Sequence, residues 1–148
     1  MKKHLIIFLT LIFISGCATT RRYAIPKDQP PERMTLTLTG YCECGICCGW
    51  KRNWRFQPVY AYGPSKGKPK EIGITSSGTR AARGTIAADT HLFPYGTIFN
   101  IPGYGWGRVE DTGGAIKGRH IDLFFDSHQE ALEWGRQKKQ VLIWKPRR

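Results

Sequence analysis

Hydrophobic and polar residues alternate along the segment 34–41. Its apolar positions are Met34, Leu36 and Leu38, and the other positions include Thr39 and Tyr41. A period of two places the two sets on opposite faces of an extended chain, which is typical of a strand buried on one side. The sequence therefore predicts a half-buried strand whose other face carries hydroxyl groups.

Further short apolar runs are separated by glycine, proline and asparagine, which often bound strands. These runs lie near 72–75, 85–88, 97–101, 106–110, 119–125 and 140–144. One short helix is predicted after Ser127, because Glu130 stands at capping-box spacing and Gly135 ends the apolar pattern. Many short strands with one helix indicate a mainly β chain that folds as a compact barrel.

The first sixteen residues are typical of a signal peptide. Two lysines precede a mostly apolar run, 5–14, which is too short to span a bilayer. The run ends in Ile14-Ser15-Gly16-Cys17, which resembles the lipobox of bacterial lipoproteins. That resemblance implies that Cys17 carries lipid and that Ala18 directs the protein to the outer membrane, facing the periplasm. An ordinary signal peptide with an incidental cysteine is the alternative.

The rest of the chain is predicted to be a tether and one domain. Residues 17–33 contain prolines and charged residues with no apolar periodicity, which indicates a flexible tether. Residues 34–148 then form a single domain, which is of ordinary size. We expect a monomer that contacts the membrane through its N-terminal lipid.

The charge of the chain narrows the choice of partner. The 148 residues carry a formal charge of +12, which falls to +10 when the two leader lysines are removed. A strongly basic protein attracts polyanions. Export separates this chain from nucleic acid, and no familiar nucleic-acid-binding motif occurs in it. We therefore expect a partner in the cell envelope and no binding of nucleic acid.

Four cysteines, Cys42, Cys44, Cys47 and Cys48, crowd into seven residues. Exported proteins meet oxidising conditions, so we expect disulfides. Either pairing that joins Cys42 and Cys44 to Cys47 and Cys48 is acceptable, because a bridge between adjacent cysteines is strained. The alternative is a metal site, for which Cys44 and Cys47 have ligand spacing without a second matching pair. We predict no metal and no other cofactor. We also expect no catalytic thiol, because none of these cysteines has a recognisable base partner in the sequence.

One aspartate stands between a predicted strand and two glycines. Asp111 follows the strand near 106–110 and precedes Thr112, Gly113 and Gly114. Glycines permit tight backbone geometry and the close approach of a substrate. Taken alone, an aspartate at such a place is most often a turn residue.

Two more aspartates lie at or near predicted strands. Asp122 lies within the strand near 119–125, where alternation directs Ile121 and Leu123 to the core and His120 and Asp122 to the other face. Asp89 ends the segment that begins at Gly84. The sequence therefore predicts that Asp122 faces a cleft.

Together these segments resemble the three-aspartate (3D) domain family. The motifs that carry the likeness are Gly84-Thr85-Ile86-Ala87-Ala88-Asp89, Pro94-Tyr95-Gly96-Thr97, the stretch 103–123 and Ala131-Leu132-Glu133-Trp134-Gly135. The likeness extends from about Thr35 to Trp144, and Asp89, Asp111 and Asp122 correspond to the three signature aspartates. The family is similar to the catalytic part of the membrane-bound lytic transglycosylase A group and to stationary-phase survival proteins. The resemblance implies a six-stranded double-psi β-barrel, related to the fold of expansins.

The resemblance also implies a lytic transglycosylase that cleaves peptidoglycan glycan strands and leaves 1,6-anhydro-muramic ends. In those enzymes the aspartate before Gly-Gly-Ala-Ile-Lys-Gly is the catalytic acid, which corresponds to Asp111, although the motif here reads Asp-Thr-Gly-Gly. A free aspartic acid has a pKa of about 3.9. An acid catalyst therefore needs burial or a neighbouring negative charge at neutral pH. Asp122 is the first candidate for that neighbour, and Asp89 is the second.

We expect substrate contacts from Thr39, Tyr41, Gly113, Gly114 and Lys117, of which Lys117 would meet peptide carboxylates of the wall. For Thr39 and Tyr41 the alternative is a barrel-rim position without a ligand, and for Lys117 it is a surface charge. Aromatic side chains also stack on sugars. The candidates are Trp50, Trp54, Tyr60, Tyr62, Tyr104 and Trp106.

Two features depart from the transglycosylases. The likeness covers no counterpart of their large second domain, and this chain carries the cysteine cluster and the insertion 50–70. The alternative function is a non-catalytic, expansin-like module that binds peptidoglycan. Such a module keeps the barrel and the aromatic residues and needs no protonated aspartate.

Overall fold

A computed structural model describes Tyr23, Ile25 and residues 28–147. This part of the chain contains eight strands and two short helices. In chain order these are β1 (Glu32–Tyr41), α1 (Gly45–Cys48), β2 (Trp50–Arg52), β3 (Pro58–Tyr60), β4 (Thr85–Ala88), β5 (Ile98–Ile101), β6 (Gly105–Asp111), β7 (His120–Phe124), α2 (His128–Trp134) and β8 (Gln137–Trp144).

Six of the strands close a barrel in the order β1-β7-β4-β6-β5-β8. The pairs β1/β7 and β4/β6 are parallel, and the other neighbouring pairs in the barrel are antiparallel. Strands β2 and β3 form a separate antiparallel hairpin. The mainly β fold predicted from the sequence, a six-stranded double-psi β-barrel, is confirmed.

The core lies inside the barrel and consists of the inward-facing side chains of its strands. Leu36 and Leu38 of β1 and Ile121 and Leu123 of β7 are fully buried there. Burial of such a side chain stabilises a protein by about 1.5–3 kcal/mol. The alternation predicted for these two strands is therefore confirmed, and it leaves their other face available for a site.

The predicted helix is confirmed as α2. The hydroxyl of Ser127 accepts the N–H of Glu130 at 3.1 Å, which is half of the expected capping box, and the N–H of Gly135 donates to the carbonyl of Ala131 at 3.2 Å. Gly40 lets this helix pack closely on β1, because a Cβ there would lie 3.0 Å from the carbonyl oxygen of Ala131.

The strand predicted near 72–75 is wrong. That segment makes only an isolated bridge between Ile74 and Arg80. It turns back on itself, since Gly73 has φ +72° and the N–H of Thr75 donates to the carbonyl of Thr79 at 2.9 Å. The sequence analysis also missed α1, β2 and β3, which are short and lie in or beside the insertion 50–70.

The folded domain begins earlier than the boundary expected at Met34. Strand β1 starts at Glu32, and the indole N–H of Trp144 donates to the carbonyl of Gln29 at 3.1 Å. Tyr23 is buried against Trp144. Part of the expected tether therefore packs on the barrel.

The predicted signal peptide, residues 1–16, and Cys17 lie outside the described residues. Within the described part of the chain, neither helix is long and apolar enough to cross a membrane.

Candidate active site

Four outward-facing side chains form a row across neighbouring barrel strands. Thr39 of β1 lies opposite Asp122 of β7, Asp122 lies opposite Ala87 of β4, and Ala87 lies opposite Asp111 of β6. Directly paired residues share one face of a sheet. The barrel topology thus brings two sequence-distant aspartates onto one outer surface, with the small Ala87 between them.

A β-bulge in β6 places Asp111 in this row. The register of β4 with β6 shifts just before Ala87, so that Asp111 pairs with Ala87 and Glu110 becomes the extra residue. Glu110 is buried, and its carboxylate accepts the hydroxyl of Thr85 at 2.7 Å and the guanidinium of Arg108 at 2.6 Å. Bulges often re-aim a side chain beside an active site. Without this bulge, Glu110 would occupy the position of Asp111.

An open cleft of about 680 Å³ lies over Asp111, Ala87 and Asp122 of this row. Its floor is the outer surface of the barrel and includes Tyr41, Ala87, Asp111, Asp122 and Phe124. Its walls come from the α1 region, the β2–β3 hairpin, the loop 69–76 and the turn 112–116. Small-molecule sites commonly have volumes of about 300–1,000 Å³. The cleft is therefore large enough to hold a short segment of a sugar chain.

Three donors converge on the carboxylate of Asp111. The hydroxyl of Tyr41 donates to Oδ2 at 3.2 Å, and the N–H groups of Ser76 and Thr112 each donate to Oδ1 at 2.9 Å. Burial, with the nearby charge of Asp111, holds the pKa of Tyr41 far above its usual range, so the phenol stays a donor. These contacts fix the orientation of the Asp111 carboxylate on the cleft floor.

Asp122 lies in a more enclosed environment. The hydroxyl of Thr39 donates to its Oδ1 at 2.7 Å and lies 2.9 Å from Nε2 of His120. Burial raises the pKa of Asp122, and the charge of Asp111 acts in the same direction, whereas the Thr39 hydrogen bond and His120 oppose the shift. Asp122 therefore keeps its proton to a higher pH than an ordinary aspartate does.

Asp89 is not among the residues that line the cleft. Its Oδ2 accepts the N–H of Gly118 at 2.9 Å, and its Oδ1 accepts the N–H of His91 at 3.1 Å. These hydrogen bonds, that of Gly118 first, lower the pKa of Asp89, and the charge of Lys117 contributes. Asp89 thus ties the turn after β4 to the loop before β7. Neither Asp89, the second candidate for the neighbour of Asp111, nor Lys117, a candidate substrate contact, lines the cleft.

The family comparison agrees with this arrangement. A family model described as the 3D domain matches residues 84–145, which contain all three aspartates. This segment is thus similar to the 3D domain. The match includes β4 to β8, whereas β1, with Thr39 and Tyr41, precedes it. The resemblance stated from the sequence motifs is confirmed.

Two curated relatives from Bacillus subtilis (strain 168) match part of this chain. The cell wall-binding protein YocH is 39% identical over 75 residues, which are 48% of this chain and 26% of YocH. YabE, named for cell wall shaping, is 40% identical over 58 residues, which are 39% of this chain and 14% of YabE. The chain therefore spans only a small part of the length of either relative.

Solved structures of MltA from Escherichia coli match parts of the chain. The crystal structure of MltA has a TM-score of 0.41 and 22% identity and covers 54% of this chain and 30% of MltA. The structure of MltA with bound chitohexaose has a TM-score of 0.39 and 21% identity and covers 57% of this chain and 30% of MltA.

The glycines that follow Asp111 in the 3D domain lie in a wall of the cleft. A Cβ at Gly113 would lie 2.7 Å from Cγ1 of Ile116, so a side chain there would displace Ile116. Gly114 has open space around it. Tyr41 lies on the cleft floor, whereas Thr39 is not among the lining residues and contacts the lining residue Asp122.

Half of the six candidate sugar-stacking aromatic residues line the cleft, namely Trp50, Tyr60 and Tyr62. The other three are placed elsewhere. Trp106 packs against Trp144 at a centroid distance of 5.3 Å, and the hydroxyl of Tyr104 donates to the carbonyl of Phe124 at 2.8 Å. Trp54 is 81% exposed and does not line the cleft. The insertion 50–70 therefore supplies the aromatic wall of the site.

The charge of the cleft is opposite to the charge of the chain. The acidic residues that line it are Glu43, Glu71, Asp111 and Asp122, and Lys70 is the one basic residue among the described lining residues. The ammonium group of Lys70 lies over the ring of Tyr60, 4.4 Å from its centroid. A phosphate backbone would be repelled by such a surface. The cleft is thus suited to an uncharged or weakly charged ligand.

The expected disulfides are not formed in the structure, where Cys42, Cys44, Cys47 and Cys48 are all free cysteines. The Sγ atoms of Cys42 and Cys47 lie 3.8 Å apart, whereas a disulfide needs about 2.05 Å. Three of the four sulfur atoms converge on Nδ1 of His128. The structure thus shows four free thiols, and the disulfides expected from export stay a prediction.

Several residues of the site were missed by the sequence analysis. Ser76 contributes only its backbone N–H, which has no sequence signature. Lys70 and Glu71 reach the cleft through loop geometry. For Ala87 the sequence gives a weak indication of a site, since a small residue in a buried strand leaves room between two larger neighbours. His128 was assigned only to a helix start, although its position beside the cysteines is determined by α2.

Proposed function

We propose that this 3D domain acts on peptidoglycan and cleaves its glycan strands as a lytic transglycosylase. The observation that carries the proposal is the pair of carboxyl groups on the floor of an open cleft. Asp111 faces the cleft and is held by three donors, and Asp122 lies two strands away in the same row. Positioned carboxyl groups are the usual acids and bases of glycosidic bond cleavage.

In the proposed reaction, Asp111 first donates a proton to the oxygen that links N-acetylmuramic acid to N-acetylglucosamine. The C–O bond breaks, the leaving sugar takes the proton, and positive charge develops at the anomeric carbon. Asp111, now ionised, removes the proton from the C6 hydroxyl of the muramic sugar. That oxygen attacks the anomeric carbon and closes a 1,6-anhydro ring. No water is consumed, so one carboxyl group serves as both acid and base.

The proton for the first step is favoured by the surroundings of the pair. Bound sugar excludes water from the cleft, and a dry environment favours the neutral form of a carboxyl group. Burial raises the pKa of Asp122, so this residue holds a proton on the cleft floor to a higher pH than an ordinary aspartate does. We assign Asp122 this supporting role and assign Asp89 to the turn after β4.

The walls support a neutral sugar chain as the ligand. Trp50, Tyr60 and Tyr62 present aromatic surface, which stacks on the apolar faces of sugar rings. The acidic lining disfavours nucleic acid in the cleft, in agreement with the expectation from export. The glycines at positions 113 and 114 allow a strand to approach the backbone beside Asp111.

The envelope is the proposed place of action. The relatives YocH and YabE are named for cell wall binding and cell wall shaping. The predicted signal peptide and the lipobox before Cys17 support a lipoprotein of the outer membrane that faces the periplasm. The lipid would hold the cleft near the peptidoglycan layer.

The second candidate function is a non-catalytic module that binds peptidoglycan. It is favoured by the printed name of YocH, a cell wall-binding protein. The same cleft would then hold glycan through its aromatic wall, and the carboxyl pair would only form hydrogen bonds with sugar hydroxyl groups.

The products of the purified protein distinguish the two functions. Peptidoglycan is incubated with the wild-type chain and with Asp111→Asn, and the soluble fragments are analysed by mass spectrometry. We expect 1,6-anhydro muropeptides from the wild type and almost none from the variant. Reducing ends would indicate hydrolysis, and intact strands that retain both proteins equally would indicate a binding module.

A further inference from the structure

The cysteine cluster meets a histidine from a distant part of the chain. Cys42 directly follows β1, Cys44 caps the N-terminus of α1 and Cys47 lies within α1. His128 is the first residue of α2. The three Sγ atoms and one ring nitrogen of His128 all lie within 4.8 Å of one another. We propose that these four residues bind one zinc ion in a tetrahedral, structural site.

The distances match such a site. Zinc bonds of about 2.3 Å to sulfur and about 2.05 Å to nitrogen place tetrahedral ligands roughly 3.8 Å (S···S) and 3.6 Å (S···N) apart. The Sγ atoms of Cys42 and Cys47 lie 3.8 Å apart. Nδ1 of His128 lies 3.9 Å from Cys42 Sγ, 3.6 Å from Cys44 Sγ and 3.3 Å from Cys47 Sγ.

The donor set is suited to zinc. Three thiolates with one imidazole form a closed Cys₃His site, which zinc adopts in structural positions. Binding releases three thiol protons, and the resulting centre carries a net charge of −1. The N–H of Cys47 donates to Sγ of Cys44 at 3.5 Å and disperses part of that charge. Cys42 is 3% exposed, so the site is shielded from water on one side.

Cys48 provides an internal control, because its thiol is not one of the proposed ligands. Its Sγ donates to the carbonyl of Cys42 at 3.1 Å. A disulfide within the cluster would leave one thiol and His128 without a role, whereas one metal ion uses all four groups.

The site would fix a wall of the cleft. Cys47, Cys48, Gly49 and Trp50 all line the cleft and belong to the segment that the ligands anchor. The ion would join this segment to α2, which packs closely on β1 at Gly40. Zinc would thus hold the aromatic wall against the barrel without touching the carboxyl pair. This inference does not depend on the proposed cleavage reaction.

The test measures metal binding by the purified, reduced chain. The protein is stripped with a chelator and titrated with Zn²⁺ alone or with Co²⁺ alone, and bound metal is counted by elemental analysis. We expect one ion per chain, the visible ligand-field bands of tetrahedral cobalt and a higher melting temperature with zinc. Cys44→Ser and His128→Ala should lose stoichiometric binding, whereas Cys48→Ser should keep it.

Three outcomes would overturn the proposal. The first is a reduced wild type that takes up no zinc and gives no tetrahedral cobalt spectrum. The second is Cys48→Ser losing the metal as completely as Cys44→Ser does. The third is a chain isolated from the envelope whose mass shows two fewer hydrogens per bridge and whose thiols resist alkylation. If Cys44→Ser does not fold, the cobalt spectra of the wild type and Cys48→Ser decide the question.

Discussion

Two regions of the barrel use aspartate in opposite ways. On the cleft floor, Asp122 is enclosed beside Asp111, and burial raises its pKa. At the turn after β4, Asp89 accepts two backbone N–H groups, and these hydrogen bonds lower its pKa. The charged form of aspartate is thus destabilised at position 122 and stabilised at position 89.

We propose that the two regions differ in function. Asp89 lies outside the cleft, and its carboxylate links two loops through backbone hydrogen bonds, so it stabilises the fold. A carboxyl group in an enclosed cleft can take part in proton transfer. We therefore propose that Asp111 and Asp122 serve the chemistry and that Asp89 stabilises the fold.

Replacement of Asp111 should have the largest effect. Asp111→Asn removes the proposed acid and base, and we expect strand cleavage to fall by about 10²–10⁴-fold. The rate of anhydro-muropeptide release, measured by mass spectrometry, checks this. Asp89→Asn is the matched control and should keep nearly the full rate per folded molecule. Equal losses in the two variants would remove the division between the regions.

Replacement of Asp122 should change the pH dependence of stability. Its folded pKa is raised above the unfolded value, so its contribution is fully present below the unfolded pKa and is lost as the pH rises through the folded pKa. Asp122→Asn stays neutral and should raise the free energy of unfolding at neutral pH, by about 1.4 kcal/mol per unit of pKa shift. Urea unfolding at several pH values measures this effect. A variant with the same pH profile as the wild type would contradict it.

Replacement of Tyr41 tests whether its hydroxyl is needed to orient Asp111. Tyr41→Phe keeps the edge-on packing against Phe124, whose ring centroid lies 5.4 Å away, and removes only the donor to Asp111. We expect a loss of about 1.5 kcal/mol in the stabilisation of that carboxylate, or roughly tenfold in rate. Steady-state kinetics of the folded variant checks this. An unchanged rate would mean that the two backbone donors alone orient Asp111.

Replacement of Asp89 should have the smallest effect and the opposite pH trend. Its lowered pKa contributes stability that is present above the unfolded pKa and is lost as the pH falls through the folded pKa. Asp89→Asn should therefore lower the melting temperature modestly at neutral pH and have no effect in strong acid. Thermal unfolding at both pH values measures this. A larger effect in acid than at neutral pH would reverse the assignment.

The barrel was predictable because its signals are local or carried by motifs. The alternation in β1 and β7 indicates which side chains face the core, and Ser127 with Glu130 indicates the start of α2. The positions of Asp111 and Asp122 relative to each other depend on the pairing of β4 with both β6 and β7. Only the resemblance to the family pointed to that pairing.

The remaining features depend on contacts between distant segments. The bulge at Glu110 has no sequence signature, and the donor from Ser76 directly follows the segment 72–75, which was predicted to be a strand. His128, the fourth proposed zinc ligand, lies 80 residues after Cys48 in the chain. Its contact with the thiols depends on how α2 packs on β1. Local patterns therefore predicted disulfides. The proximity of His128 to the thiols becomes visible only in the tertiary structure.

The most direct test of the central claim is a crystal structure of Asp111→Asn with a bound peptidoglycan glycan fragment. The account predicts that the strand lies along the cleft, with a muramic glycosidic oxygen about 2.6–3.2 Å from the side chain at position 111. The rings of Trp50, Tyr60 or Tyr62 should contact the flanking sugars. A fragment bound outside the cleft, or one whose glycosidic oxygens all lie far from residue 111, would contradict the account.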